Sequence, residues 1–343
     1  MAKKQVKRIL RILFILASIA SLAFVPWILV KAWILPLPDT IQEQMDQAIG
    51  HGFDGMIVYV DQAGQPPQFY ASGWHDREKK IPADPNALFK IASISKLYVA
   101  VSITKLAYAN RLSLDQTMTD YFPELEGRIE NADKITLRLM VQHRSGIPNY
   151  TDNPDFWQDS IKKDALEYAL DLPANFSPDD NYGYSNTNYL LLSRIIEKIV
   201  GYNRQQFIKE EILDPLGLKN TFGSVNEVNL DDVMSGYYVG VDTDFKSEEQ
   251  GMIATAQDVG IFLRALNDGS LLNEEEQEIY TSIYVYDHTG LLPGYQSIAK
   301  YHKDINSVVI QFNNTSHFTG YHWNLATISY GRIMKILRKT IRK

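Results

Sequence analysis

Phe89-Lys-Ile-Ala-Ser-Ile-Ser-Lys-Leu-Tyr-Val-Ala100 sets Ser93 three residues before Lys96. On a helix, that spacing puts both side chains on one face, one turn apart. A serine hydroxyl attacks poorly at neutral pH, because its proton must leave as the oxygen bonds. A lysine amine takes that proton once burial or nearby cations depress its pKa. The spacing therefore offers a nucleophile and a base in one turn. Other Ser-x-x-Lys matches include Ser102/Lys105 and Ser160/Lys163. Ser93 differs from them in context: it follows loop residues, Pro82-Ala-Asp-Pro85 and Asn86, and opens a helical run that reaches Asn110. Backbone N–H groups at a helix start are unpaired and can hold an oxyanion. Ser102 sits inside the same helix, and Ser160 lies in a polar stretch with two lysines.

Upstream, Gly55-Met-Ile-Val-Tyr-Val60 and Gln68-Phe-Tyr-Ala-Ser72 read as strands joined by the turn-rich Asp61-Gln-Ala-Gly-Gln-Pro-Pro67. Thr40 to Ile49 reads as an amphipathic helix. Downstream, a mainly helical stretch runs from Ile91 to about Leu218, with Leu190 to Val200 closed by Gly201. Thr255 to Leu266 makes another helix, with Asn267-Asp-Gly269 after it. Late strand-like runs cover Ile283 to Asp287, Tyr295 to His302 and Ser307 to Asn313, and Tyr321 to Arg338 makes a final helix. Strands at both ends with helices between them predict an α/β (α+β) fold. One antiparallel sheet is flanked by N- and C-terminal helices, and a mainly helical second lobe covers about 91–250.

The chain has 343 residues, 45% hydrophobic and 22% charged, enough for one large or two medium domains. It has no cysteine, which excludes disulfides, thiol catalysis and zinc–thiolate sites. Both ends are basic: Lys3, Lys4, Lys7, Arg8 and Arg11 at the start, and Lys335, Arg338, Lys339, Arg342 and Lys343 at the end. None of the 41 acids lies in either segment, so the body is strongly acidic, which argues against nucleic-acid binding. Ile12 to Val30 carries no charge and is long enough to span a bilayer. The cation bias then places the N-terminus in the cytoplasm and the body outside. A cleaved signal peptide is the alternative, with Ser21-Leu-Ala23 as its site, but apolar residues continue through Trp33-Ile-Leu35.

The expected order is a cytoplasmic basic segment (1–11), a transmembrane signal-anchor (12–30), a spacer with Pro36-Leu-Pro38 (31–40), the main domain (41–338) and a basic tail (339–343). The last helix has a second reading as a lipid contact, through Ile333, Ile336, Leu337 and Ile341.

Two further motifs carry chemistry. In Tyr184-Ser-Asn186, a tyrosine hydroxyl can relay a proton if neighbouring cations lower its pKa, and an asparagine two residues on can hold a substrate amide. In His288-Thr-Gly290, a hydrogen-bonding residue at a strand edge precedes a small residue and a glycine, so a substrate backbone can lie close. Together with Ser93/Lys96, in this order, the motifs resemble the serine β-lactamase and penicillin-binding-protein family, nearest its class C-like branch of esterases and D-amino-acid-specific peptidases. The resemblance covers about residues 45–335. It extends to Arg111-Leu-Ser-Leu-Asp115, Tyr121-Phe-Pro-Glu124, the stretch Ile135 to Gly146, and Gly251 to Asp258.

The resemblance implies a β-lactamase/transpeptidase-like fold and roles by position. Ser93 is the residue to be acylated, Lys96 takes its proton, and Tyr184 serves as general base or relay. Asn186 holds Lys96 and the substrate amide. His288, standing where many relatives have lysine, orients Tyr184 and contacts a substrate carboxylate or carbonyl, with Thr289 and Gly290 beside it. Backbone N–H groups of Ser93 and Leu291 form the oxyanion hole. The chain departs from the family in two ways. Ser177-Pro-Asp179 lacks the usual glycine after proline, so that loop is expected to differ in shape and to add negative charge. His288 is expected to titrate near neutral pH, where lysine stays cationic.

A class A deacylating Glu-x-x-Leu-Asn and a Gly-x-Ser-x-Gly elbow are both absent. The seven histidines form no zinc-binding pair, and His143 reads as packing the Arg144-Ser-Gly146 turn. No cofactor or metal is implied. The expected protein is a membrane-anchored serine hydrolase acting on an ester or amide, with a small molecule or cell-wall peptide as its partner. A silent muropeptide-binding scaffold and a true β-lactamase are the alternatives. The sequence specifies no oligomeric state.

Overall fold

The computed structural model describes residues 2–158, 163–249 and 251–341. Ser160 and the last two residues of the basic tail lie outside them. Three helices come first: α1 (Ala2–Ser21), α2 (Trp27–Ile34) and α3 (Ile41–Ile49). Strands β1 (Gly55–Gln62), β2 (Gln68–Asp76) and β3 (Ile81–Pro82) follow, then α4 (Ser95–Tyr108), α5 (Asn186–Val200), α6 (Ala256–Asp268) and α7 (Glu274–Ile283) among shorter turns. The chain returns through β4 (His288–Leu292), β5 (Tyr295–His302) and β6 (Ser307–Asn313) to α8 (His322–Ile341).

The six strands form one sheet in the order β3-β2-β1-β6-β5-β4 with every pairing antiparallel. Early and late strands thus meet at β1 and β6, as the sequence predicts. Successive side chains of a strand point to opposite faces. Met56, Val58 and Val60 of β1 and Val309 of β6 therefore pack with α3 and α8 on one face. Ile57 and Tyr59, with Val308, Ile310 and Phe312, face the larger core made by α4 to α7. Gly260 lets α6 approach this face, since a Cβ there would lie 2.2 Å from the Tyr59 ring. The sheet is sandwiched, and its edge strand β4 borders the helical lobe.

One expectation needs correction, and two segments take forms that the sequence reading does not specify. The strand-like Ile283–Asp287 is not a strand. A capping box of Asn273 and Glu276 starts α7, which continues to Ile283 with Tyr280 and Ile283 buried. The Tyr280 hydroxyl donates to the Val285 carbonyl at 2.7 Å, and pairing begins only at His288. The apolar stretch 12–30 is not one helix either. Val25 is extended and Pro26 has no N–H to donate, so the helix breaks and bends by 77°. Among the described residues no single helix is long and apolar enough to cross a membrane, although the bent pair passes by length and composition.

Residues 31–40, read as a stiff spacer, make contacts with the body. Ala32 is buried against the α3/α8 core. Arg332 of α8 donates to the Leu35 and Pro36 carbonyls at 2.8 Å each and to Gln44 Oε1 at 2.5 Å. The segment after the bend is thereby bonded to the body.

Candidate active site

Ser93 lies in the 3-10 turn Ala92–Ile94, which runs directly into α4. Ala92, buried and immediately before it, has φ 52°, a left-handed conformation costly for a residue with a Cβ. Surrounding contacts hold the turn there. The Ile91 N–H donates to the Met252 carbonyl at 3.1 Å, and Ser297 Oγ of β5 donates to the Ile91 carbonyl at 3.0 Å. Gly290 of β4 closes the contact. A Cβ on it would lie 2.3 Å from Ser297 Oγ, 2.6 Å from the Ile91 carbonyl oxygen and 2.8 Å from Ala92 Cβ. Gly290→Ala is therefore expected to destabilise the protein by about 1–3 kcal/mol and to shift the turn that carries Ser93. Urea unfolding, measured beside turnover, checks both effects.

Two side chains converge on Ser93, and a third holds one of them. Lys96, in the first turn of α4, places Nζ 3.2 Å from Ser93 Oγ and donates to Asn186 Oδ1 at 2.7 Å. The Tyr184 hydroxyl donates to Ser93 Oγ at 2.8 Å. Asn186, at the start of α5, is held in turn through its Nδ2, which donates to Asn149 Oδ1 at 3.2 Å and Thr151 Oγ1 at 3.1 Å. Lys96 is buried, with its ammonium 4.9 Å from the Tyr184 ring centre and 5.4 Å from that of Tyr189. Among the described residues no carboxylate pairs with it, so burial brings its pKa down to about 7. A lysine in that state can accept the Ser93 proton near neutral pH.

Two sequence expectations about protonation do not hold. In the sequence reading Tyr184 relays a proton if neighbouring cations lower its pKa. Burial instead pushes it up to about 12, against a smaller opposing effect of its bond to Ser93. At neutral pH it is a proton donor. Tyr184→Phe is expected to lower kcat roughly 10²-fold with KM little changed, measured by steady-state kinetics. His288 was to titrate near neutral pH. Burial lowers it to about 4, and Lys96 adds to the effect. It is neutral, it makes no hydrogen bond to Tyr184, and its Nδ1 lies 2.5 Å from the Thr289 carbonyl oxygen.

The ring beneath Tyr184 is His143, which sequence reasoning assigned only to a turn. Its centroid stacks 4.4 Å from that of Tyr184, and its Nδ1 accepts from the Ser185 N–H at 3.2 Å. Burial, then Lys96 and His288, lower it to about 3. It supports Tyr184 as a neutral, flat neighbour. The unusual Asp179 takes φ 71°, the left-handed conformation that a glycine would adopt. Its carboxylate is paired with Arg144 Nε at 2.6 Å. The charge of Asp179 is thus met by Arg144.

The cleft has two lobes that meet at Ser93. One, about 400 Å³, is lined by Lys96, Tyr150, Asp152, Trp157, Leu292 and Phe318 among others. The second, about 490 Å³, is lined by Tyr184, His288, Thr289, Gly290, Gly320 and Trp323 among others. Asn186, Leu291 and Phe318 border both. Trp157 is a lining residue that sequence reasoning missed; Phe318 lies in the loop Asn314 to Trp323, which the sequence reading takes as a pocket wall. Their rings meet edge to face with centroids 5.5 Å apart, and Trp157 lies next to residues outside the described set, in a stretch with no periodic pattern. Among the described residues no His/Asp/Glu cluster could hold a metal ion.

A protein-family model described as Beta-lactamase matches residues 37–295. Penicillin-binding protein 4* of Bacillus subtilis (strain 168) is 29% identical over 177 residues, covering 50% of this chain and 38% of that protein. This chain thus spans less than two-fifths of that relative's length. Among solved structures, D-amino acid amidase from Ochrobactrum anthropi SV3 aligns with TM-score 0.77 at 22% identity, over 88% of this chain and 98% of that one. A class C beta lactamase aligns with TM-score 0.67 at 18% identity, over 86% and 97%. At such identities these two structures carry the fold.

Proposed function

Because the chain belongs to the beta-lactamase family, a family of serine hydrolases, we propose that it cleaves an ester or amide bond through an acyl-enzyme on Ser93. The observation that carries this reading is the buried Lys96 Nζ, placed between Ser93 Oγ and Asn186 Oδ1 with its pKa near 7. Ser93 Oγ bonds to the substrate carbonyl carbon while its proton passes to neutral Lys96. The carbonyl oxygen becomes an oxyanion at the N-terminal turn, facing the backbone N–H groups of Ser93 and Leu291. As the bond to the leaving group breaks, Tyr184 gives that group a proton and regains one from Lys96. Water then adds to the acyl-Ser93 carbonyl as its proton goes to Lys96. Collapse releases the acid and returns a proton to Ser93 Oγ.

We read the substrate as D-amino-acid-containing envelope material or a small ester. The names of the relatives, a penicillin-binding protein and a D-amino acid amidase, support acyl donors of this kind. We read residues 12–30 as the membrane anchor, with the domain outside. The uncharged stretch after five cations supports it. The test of the catalytic reading is a panel of p-nitrophenyl esters, D-alanyl peptides and nitrocefin, assayed with wild type and Ser93→Ala. Ser93-dependent turnover of esters or D-alanyl amides is expected. Fast hydrolysis of nitrocefin alone would make the protein a β-lactamase. Ligand-induced thermal stabilisation without turnover of any of them would make it a silent binding protein.

A further inference from the structure

Charge in the cleft is distributed in one direction. Lys96 is the sole lysine or arginine lining either lobe among the described residues, and it is buried behind Ser93 and bonded to Asn186. The single acid is Asp152, which is exposed in the lobe that holds Trp157 and Phe318. The remaining ionisable ring, His288, faces the other lobe. The Thr289 carbonyl can only accept, so the His288 nitrogen 2.5 Å from it, Nδ1, carries the hydrogen. In the neutral ring Nε2 is then an acceptor. Where a lysine would present a cation, this chain presents a lone pair.

We infer that the cleft takes acyl donors that carry no carboxylate beside the scissile bond and favours those with an ammonium group, which Asp152 receives. The inference rests on Ser93 being the acylated residue. A carboxylate entering the cleft loses water and, beyond the buried Lys96 already bonded to Asn186, meets no lysine or arginine, while Asp152 opposes it in one lobe and the His288 acceptor nitrogen in the other. An ammonium is favoured by Asp152, and the Trp157–Phe318 pair in the same lobe accommodates an aromatic or aliphatic body between it and the reacting carbonyl.

Three p-nitrophenyl esters of matched shape test this: 4-(aminomethyl)benzoate, 4-ethylbenzoate and 4-(carboxymethyl)benzoate, each corrected for its hydroxide-catalysed rate. The wild-type kcat/KM is expected to fall in that order, with at least about tenfold between the first and last. Asp152→Asn is expected to lower the ammonium-to-ethyl ratio about fivefold, the size of an exposed ion pair. His288→Lys is expected to raise the carboxylate ester about tenfold relative to the ethyl ester. Equal rates across the series, or preference for the carboxylate, would overturn the inference. An unchanged ratio in Asp152→Asn would overturn the role of Asp152. An uncharged fluorophosphonate is run in parallel. If it labels Ser93 while the series is flat, the selectivity fails and the acyl-enzyme stands. If it does not label Ser93, both fail.

Discussion

Ser93→Ala is expected to lower kcat/KM by roughly 10⁴-fold or more on every substrate the wild-type protein turns over. The argument is geometric. Lys96 and Tyr184 both converge on one oxygen, Ser93 Oγ, at 3.2 and 2.8 Å. The variant removes that atom and leaves the backbone, the strained Ala92 and the clamp of Ser297 on Ile91 in place. Ser95 also lines the cleft. Neither Lys96 nor Tyr184 hydrogen-bonds to it among the contacts of the described residues, so it cannot substitute. The thermal midpoint is expected to change little, which separates loss of chemistry from loss of fold. Steady-state kinetics beside a melting curve reads both.

Lys96→Met is expected to cost roughly 10³-fold, the range of a general base, while keeping the buried stem's volume. The pH profile identifies the mechanism behind the loss. An ordinary lysine titrates near 10.5, and burial holds Lys96 at about 7. The base must be neutral, so the wild-type acylation rate rises tenfold per pH unit below about 7 and levels off above it. Without the shift, the rise would continue past pH 10. The limb centred near 7 is expected to vanish in Lys96→Met. Lys96→Arg is expected not to rescue it, because a guanidinium does not give up its proton in this range.

The parts of the fold that the sequence discloses are those set by local pattern. Apolar runs along Met56 to Val60 and Ser307 to Asn313 mark strands that the structure pairs directly. Gly201 marks the end of α5, where it adopts φ 83°. Ser93, Lys96, Tyr184, Asn186 and His288 were legible because each sits in a short motif, and the structure brings the first four within hydrogen-bond distance. What failed depends on burial. A tyrosine and a histidine look titratable in a sequence, and only the surrounding chain decides that Tyr184 is a donor and His288 neutral. His143 was misjudged for the same reason, since its role comes from stacking on a residue 41 positions away in number, Tyr184. Ile283–Asp287 misled because its apolar run suits either a strand or the end of a capped helix. The break at Pro26 was readable from the proline itself and was masked by the hydrophobicity around it.

The most direct test of Ser93 activated by Lys96 is the rate of labelling by an uncharged fluorophosphonate, followed by intact mass across pH 5 to 10. The expected result is a single adduct, mapped to the peptide that contains Ser93, with a labelling rate that climbs to about pH 7 and is flat beyond it. An adduct on another residue, no adduct, or a rate that keeps rising to pH 10 would contradict it.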